Sequence, residues 1–170
     1  MSATIRVLRG DLTEETVDAI VNAANQKMLG GGGVDGAIHR TAGPSLLEAC
    51  QDIPEVRSGV RCPSGEARIT PGFDLNAKHV IHTVGPVYAS RPQDAELLAS
   101  AFRSSLELAV AHGLRSIAFP AISCGVYGYP LDEAATIAAA VVRERDWDLD
   151  EIRFVLFSSD TFAAWRRAFE

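Results

Sequence analysis

Four consecutive glycines, Gly30 to Gly33, stand directly before a helical pattern, and no other stretch constrains this chain as strongly. Glycine tolerates backbone angles that other residues avoid and lets a ligand come close to the main chain. A helix that begins just after such a loop directs unpaired N–H groups and the positive end of its dipole at whatever sits there. That arrangement binds anions, most often phosphates, and needs no lysine to do so. Two amides, Asn22 and Asn25, precede the loop, and one carboxylate, Asp35, follows it. The stretch therefore offers phosphate binding beside polar groups able to act on a neighbouring part of the same ligand. A flexible loop with no ligand is the plain alternative, and it runs against the entropy that four glycines lose on ordering.

Around this loop, strand and helix patterns alternate. Residues 4–8 read as a strand with Ile5, Val7 and Leu8 apolar, ending at Gly10-Asp11-Leu12-Thr13. Thr13 is expected to cap a short helical turn over 14–16, and Asp11 is either a cap or a ligand group at the strand's C-terminal end. Residues 19–24 are apolar enough for a strand buried on both faces. The helix after the loop covers 34–42, with Val34, Ala37, Ile38 and Ala42 on one face and Asp35 and His39 sharing another. Gly43-Pro44 ends it, and Ser45 is expected to cap a second helix reaching Asp52. A loop over 53–63 leads to strands at 66–70 and 79–84. The longest helix, 94–112, places Leu98, Phe102, Leu106 and Ala109 on one face and stops at Gly113. A strand at 116–119 enters a second glycine-containing loop, 120–129. Pro130 opens a helix to Arg145. A strand at 152–157 precedes a closing helix capped by Ser159 or Asp160.

Six strands interleaved with helices, without a repeat or linker, predict one domain over 1–170. The expected class is α/β: a three-layer α/β/α sandwich on a central mixed, largely parallel six-stranded sheet. Such sheets gather the ends of several strands into one crevice, and both glycine loops follow strands, so both can line it.

Composition removes several function classes. No apolar run approaches the ~20 residues needed to span a bilayer, and the N-terminus lacks the apolar core of a signal peptide. Cys50, Cys62 and Cys124 are odd in number and widely spaced, which fits neither a disulfide framework nor a zinc site. Reduced thiols point to a cytoplasmic location. The net charge of −6 argues against a broad basic surface for nucleic acid. Gly31-Gly-Gly33-Val-Asp-Gly36 matches the dinucleotide pattern G-x-G-x-x-G, but the loop begins several residues after its strand. The region where a ribose-binding acid should follow holds Pro44, Pro54 and Gly59 instead.

Together these segments resemble the macrodomain family, and within it the MacroD-type hydrolases of ADP-ribose adducts. The carriers are Gly10-Asp11-Leu12-Thr13, Val21-Asn22-Ala-Ala-Asn25, Gly31-Gly-Gly33-Val-Asp35-Gly-Ala-Ile-His39, His82-Thr-Val-Gly-Pro86 and Pro120-Ala-Ile-Ser123-Cys-Gly-Val-Tyr127-Gly-Tyr-Pro130. The likeness covers nearly the whole chain and is closest to bacterial O-acetyl-ADP-ribose deacetylases. It implies that Asp11 accepts a hydrogen bond from the adenine amino group, that the backbone of Leu12 reads the same edge, and that Phe157 stacks on the base; core filling is the other reading of Phe157. It implies that Gly31, Gly32, Gly33 and Val34, with Ser123, Cys124, Gly125 and Val126, hold the diphosphate through backbone N–H groups. Tyr127 packs on the distal ribose, and Asn25 hydrogen-bonds it with both a donor and an acceptor.

Asp35 is then the general base, expected to be held ionised by its place near a helix start, and it polarises a water beside the phosphate. That water attacks either the anomeric carbon or the ester carbonyl, and a substrate phosphate can share the base role. His39 reads as a structural partner of Asp35. Cys124 stands where many relatives have threonine and reads as loop lining rather than a nucleophile. No metal or redox cofactor is implied. The expected activity is deacetylation of O-acetyl-ADP-ribose and removal of mono-ADP-ribose from Asp and Glu side chains of proteins. Two alternatives are a module that binds ADP-ribose without cleaving it, and an RNA-binding regulator, which the acidic balance disfavours.

Overall fold

The computed structural model describes residues 2–170. The chain runs β1 (Thr4–Arg9), a 3-10 turn (Leu12–Glu14), β2 (Ala19–Ala23), α1 (Gly33–Ala42), α2 (Pro44–Gln51), β3 (Ala67–Pro71), β4 (His79–Thr83), α3 (Pro92–Ala111), β5 (Ser116–Phe119), α4 (Leu131–Val142), β6 (Glu151–Leu156) and α5 (Ser159–Phe169). The six strands form one sheet in the order β1-β6-β5-β2-β4-β3. Every neighbouring pair is parallel except β3–β4 at one edge. This is the mixed, largely parallel sandwich that the pattern predicts.

The side-chain period of two along each strand divides the interior into two cores. On β2, Ala19 and Val21 join a core covered by α3, α4 and α5, while Ile20 joins the other, covered by α1 and α2. On β4, Ile81 and Val80 divide the same way. The larger core is built around Phe102, Phe119 and Phe154. The last two rings stack with centroids 5.3 Å apart. Each such buried ring contributes about 1.5–3 kcal/mol by leaving water. This core fixes β5 and β6, whose ends carry the second glycine loop and Phe157.

Several helix starts differ from expectation, for local reasons. Asp11, not Thr13, caps the first turn: its Oδ1 accepts from the Thr13 N–H at 2.9 Å and from Thr13 Oγ1 at 2.7 Å. The turn therefore begins at Leu12. Gly43 rather than Ser45 occupies the cap position of α2, because its φ of 87° turns the chain between two helices and Pro44 takes the first helical place. α3 likewise starts early, at Pro92, with the Asp94 carboxylate accepting from the Ala89 and Arg91 N–H groups. Pro130 is the cap of α4 rather than its first residue, and Ser158 caps α5, one residue before the expected position. Gly113, at φ 69°, ends α3 as expected.

Candidate active site

The parallel strands deliver their C-terminal ends to one side of the sheet, and the segments that follow β1, β2, β5 and β6 meet there. After β2, Asn25 shapes the glycine loop. Its Oδ1 accepts from the Met28 N–H and its Nδ2 donates to the Gly30 carbonyl, both at 3.1 Å. One amide hydrogen remains for a ligand. Gly33 sits at φ 57°, a left-handed angle that suits glycine, and α1 starts there. Gly36, one turn in, lies so close to the loop that a Cβ on it would stand 2.7 Å from the Gly31 carbonyl oxygen. Among the described residues the amides of Gly31, Gly32, Gly33 and Val34 have no acceptor, and the three glycines are exposed. The loop is therefore a set of free donors at a helix N-terminus, suited to an anion.

Asp35 lies beneath this loop and is only 5% exposed. Its Oδ1 accepts from Asn22 Nδ2 at 2.8 Å and faces His39 Nε2 at 3.4 Å, so the partnership with His39 is present. Its Oδ2 is aimed the other way: a Cβ on Gly31 would lie 3.2 Å from that oxygen and 3.5 Å from Asn25 Nδ2. The carboxylate, the Asn25 amide and the donor loop thus converge. The expectation that the helix start keeps this acid easily ionised is corrected. Burial pushes the carboxyl above the ordinary carboxylate range, and the Asn22 hydrogen bond and His39 oppose only part of that push. Its carboxylate is consequently a stronger base than a surface aspartate.

Behind Asp35 one expectation is corrected: Asn22, read with Asn25 as an amide able to act on a ligand, is wholly buried, and its companions His82 and Thr70 were not foreseen as site residues. Asn22 and His82 are register partners on β2 and β4. Asn22 Nδ2 lies 3.1 Å from His82 Nδ1, and His82 Nε2 lies 2.9 Å from Thr70 Oγ1 on β3. All three residues are buried. Asn22 interrupts an otherwise apolar strand pattern, whereas His82 and Thr70 lie in strands that carry other polar residues, so nothing in the pattern singles them out.

The second loop, 120–129, follows β5, the parallel neighbour of β2, and so leaves the sheet on the same side as the first. Ser123 is buried and left-handed at φ 68°, a conformation that costs a non-glycine residue about 1–2 kcal/mol. Its hydroxyl donates to the Pro86 carbonyl at 2.8 Å and its carbonyl accepts from the Tyr129 N–H at 2.9 Å. A side chain at Gly85 would collide with Ser123 Oγ. Pinned in this way, the loop leaves the amides of Ser123, Gly125, Val126 and Tyr127 without acceptors among the described residues, whereas the Cys124 N–H, expected among the diphosphate donors, is spent on the Ala121 carbonyl at 3.2 Å; Val126 is fully exposed. The Tyr127 carbonyl accepts from the Tyr88 N–H at 2.8 Å. Cys124 is half-buried, and burial pushes its thiol up to about 12, which fits loop lining and not a thiolate nucleophile.

At the far end of the same side are Asp11, Leu12 and Phe157. Asp11 is exposed, and its Oδ2 has no partner among the described residues, whereas the Leu12 side chain is buried and its N–H donates to nothing. Phe157 follows β6 and is 83% exposed, which rules out core filling and leaves an aromatic face open. Among the described residues no cluster of three or more His, Cys, Asp or Glu side chains is arranged to hold a metal ion.

Comparison with known proteins matches the same segments. The family model described as Macro domain matches residues 21–138. A macro domain-containing protein of Xanthomonas axonopodis pv. citri is 56% identical over 170 residues, covering 96% of this chain and 94% of its own length. A Klebsiella pneumoniae protein named O-acetyl-ADP-ribose deacetylase is 52% identical, covering 98% of this chain and 97% of its own. Among solved structures, an Oceanobacillus iheyensis macrodomain mutant with ADPR superposes with a TM-score of 0.91 at 45% identity, covering 98% of this chain and 92% of that one. A matched segment spanning most of the chain, joined to relatives above 50% identity over more than nine-tenths of their length, settles the family: this chain belongs to the Macro domain family.

Proposed function

We propose that this chain is a hydrolase of ADP-ribose adducts. Its substrates are O-acetyl-ADP-ribose and proteins carrying mono-ADP-ribose on Asp or Glu side chains. The observation that carries this reading is the buried Asp35 carboxylate, with one oxygen tied to Asn22 and the other turned toward the donor loop and Asn25. A module that only binds has no use for a buried acid that destabilises its own site.

In this reading the free amides of Gly31–Val34 and Gly125–Tyr127 hold the two phosphates, Phe157 and Asp11 take the adenine, and Tyr127 and Asn25 take the distal ribose. Water between Asp35 and the ribose loses a proton to the carboxylate as its oxygen attacks. With the acetyl ester the new C–O bond forms at the carbonyl carbon. The ester C–O bond then breaks, and the ribose oxygen leaves as a hydroxyl by taking up a proton. With an Asp or Glu adduct the anomeric carbon is the second possible target. The buried thiols of Cys50 and Cys62, and the half-buried Cys124, fit a reducing cytoplasm.

Calorimetric titration with ADP-ribose, NAD and AMP tests the binding half, with selectivity for ADP-ribose expected. Turnover of O-acetyl-ADP-ribose in heavy-oxygen water tests the chemistry. The label is expected in released acetate, and ADP-ribose binding without any acetate release would reduce the protein to a binding module.

A further inference from the structure

We infer that Asn22, His82 and Thr70 form a buried relay that positions Asp35, in which the proton on His82 decides which edge of the Asn22 amide faces the carboxylate. The inference rests on reading Asp35 as the base. Three strands build it: Asn22 on β2, its register partner His82 on β4, and Thr70 on the antiparallel β3. Asn22 and His82 are wholly buried, and Thr70 is nearly so.

The geometry admits one arrangement of hydrogens. Burial and the nearby His39 hold the His82 imidazole down to about 3, so it is neutral and carries one N–H. Its Nδ1 faces Asn22 Nδ2 at 3.1 Å, and its Nε2 faces Thr70 Oγ1 at 2.9 Å. The Asn22 amide nitrogen has two hydrogens and no lone pair to offer, so Nδ1 must accept. The His82 proton therefore sits on Nε2 and is donated to Thr70. The second Asn22 hydrogen is left for Asp35 Oδ1, at 2.8 Å.

Turning the amide over would set its oxygen against the carboxylate and would require the proton on His82 Nδ1. The observed orientation leaves Asn22 Oδ1 buried without a partner among the described residues. Such an orphan is costly, so donation toward Asp35, and not satisfaction of Asn22 itself, is what the arrangement favours. The other titratable groups here are His39 on α1, Cys50 on α2 and Cys62 before β3. His39 Nε2 faces Asp35 at 3.4 Å, Cys50 Sγ faces His82 Nε2 at 3.9 Å, and Cys62 Sγ donates to the His82 carbonyl at 3.9 Å. Burial pushes both thiols up to about 11, so they stay protonated at neutral pH, and Arg61 acts on Cys50.

Thr70 does not touch Asp35, and this makes it the informative position. Thr70→Val removes the acceptor for His82 Nε2–H, favours the Nδ1–H form, and turns the Asn22 amide over. Imidazole nitrogen chemical shifts of the full chain are expected to show Nε2–H in the wild type and Nδ1–H in the variant. The acidic limb of kcat/KM for O-acetyl-ADP-ribose is expected to move up by about one pH unit, the scale of one hydrogen bond to a charged group. Affinity for ADP-ribose should stay unchanged. Thr70→Ser, which keeps the hydroxyl, should restore the tautomer and the limb, and Asn22→Leu should shift the limb directly.

A wild-type Nδ1–H tautomer overturns the relay with no variant needed. So does a Thr70→Val protein that keeps Nε2–H, or one whose tautomer switches while its limb stays put. A wild type that binds ADP-ribose, shows Nε2–H and releases no acetate would instead break the hydrolase reading alone, leaving the tautomer shifts to decide the relay.

Discussion

Two aspartates stand on the same side of this sheet, and the fold treats them in opposite ways. Asp11 follows β1, is exposed, and spends one oxygen on its own neighbour Thr13. Asp35 enters α1 one turn below the glycine loop, is 5% exposed, and is held by a side chain from β2 and another from its own helix. On the proposed reading, the difference separates recognition from chemistry. An exposed acid can offer a lone pair to a ligand edge at little cost to the fold. A buried one carries a desolvation penalty that raises its basicity, and that is useful only where a proton has to be taken.

The sharpest way to break this contrast is to remove the buried acid. Asp35→Ala is expected to lower acetate release by about 10²–10⁴-fold, the usual contribution of a general base, while ADP-ribose affinity changes little. Full activity in that variant would remove Asp35 from the mechanism. The scaffold under it comes next. Gly36→Ala drives a Cβ against the Gly31 carbonyl at 2.7 Å. That overpacking should cost about 1–3 kcal/mol, read as a lower Tm together with weaker ADP-ribose binding. Gly32→Ala is its control for stability: φ is −95° and no protein atom lies within 4 Å of the added carbon, so Tm should hold. If the two variants unfold at the same temperature, the loop is not held by close packing on α1.

At the recognition end the effects are smaller and fall on affinity. Phe157→Ala should weaken ADP-ribose binding by about 1–2 kcal/mol, the scale of base–aromatic stacking, and leave Tm unchanged because the ring is 83% exposed. A fall in Tm without loss of affinity would mean that the ring serves the fold. Asp11→Ala should cost about 1 kcal/mol of stability through the lost cap. It should also loosen adenine selectivity, measured as the ratio of ADP-ribose affinity to that of its hypoxanthine analogue.

Much of this was legible in the chain. Periodicity located all six strands and their alternation with helices implied a largely parallel sheet, and residues 116–119 were bounded without error, because Ser116 and Pro120 punctuate that strand. Asn25, Asp35 and both loops were visible because their signal is local: glycines, a helix start and an acid within one turn. Phe157 was ambiguous, since a strand end looks the same whether the next aromatic turns in or out. What stayed hidden is long-range. Asn22 and His82 are 60 residues apart, and only the β2–β4 register brings their side chains together. The burial of Asp35 is a property of the loop folded over it, so the sequence suggested a dipole-stabilised carboxylate where the fold supplies a desolvated one.

The smallest effect concerns stability, where the contrast between the two acids has a definite sign. A carboxyl whose folded pKa lies above its ordinary value of 3.8 binds its proton more readily in the folded state. Its favourable contribution is fully present below that ordinary value and is lost as pH rises through the raised one. Once ionised, Asp35 therefore weakens the fold. Asp35→Asn cannot ionise, yet its carbonyl oxygen can still accept from Asn22 Nδ2. Denaturant unfolding of both proteins across the acid range should show the variant's advantage growing with pH through that window and then levelling. The effect is small because Asn22 and His39 return part of what burial removes. An advantage that shrinks as pH rises would mean that the hydrogen bonds outweigh desolvation, and that Asp35 sits as comfortably as an acid on the surface.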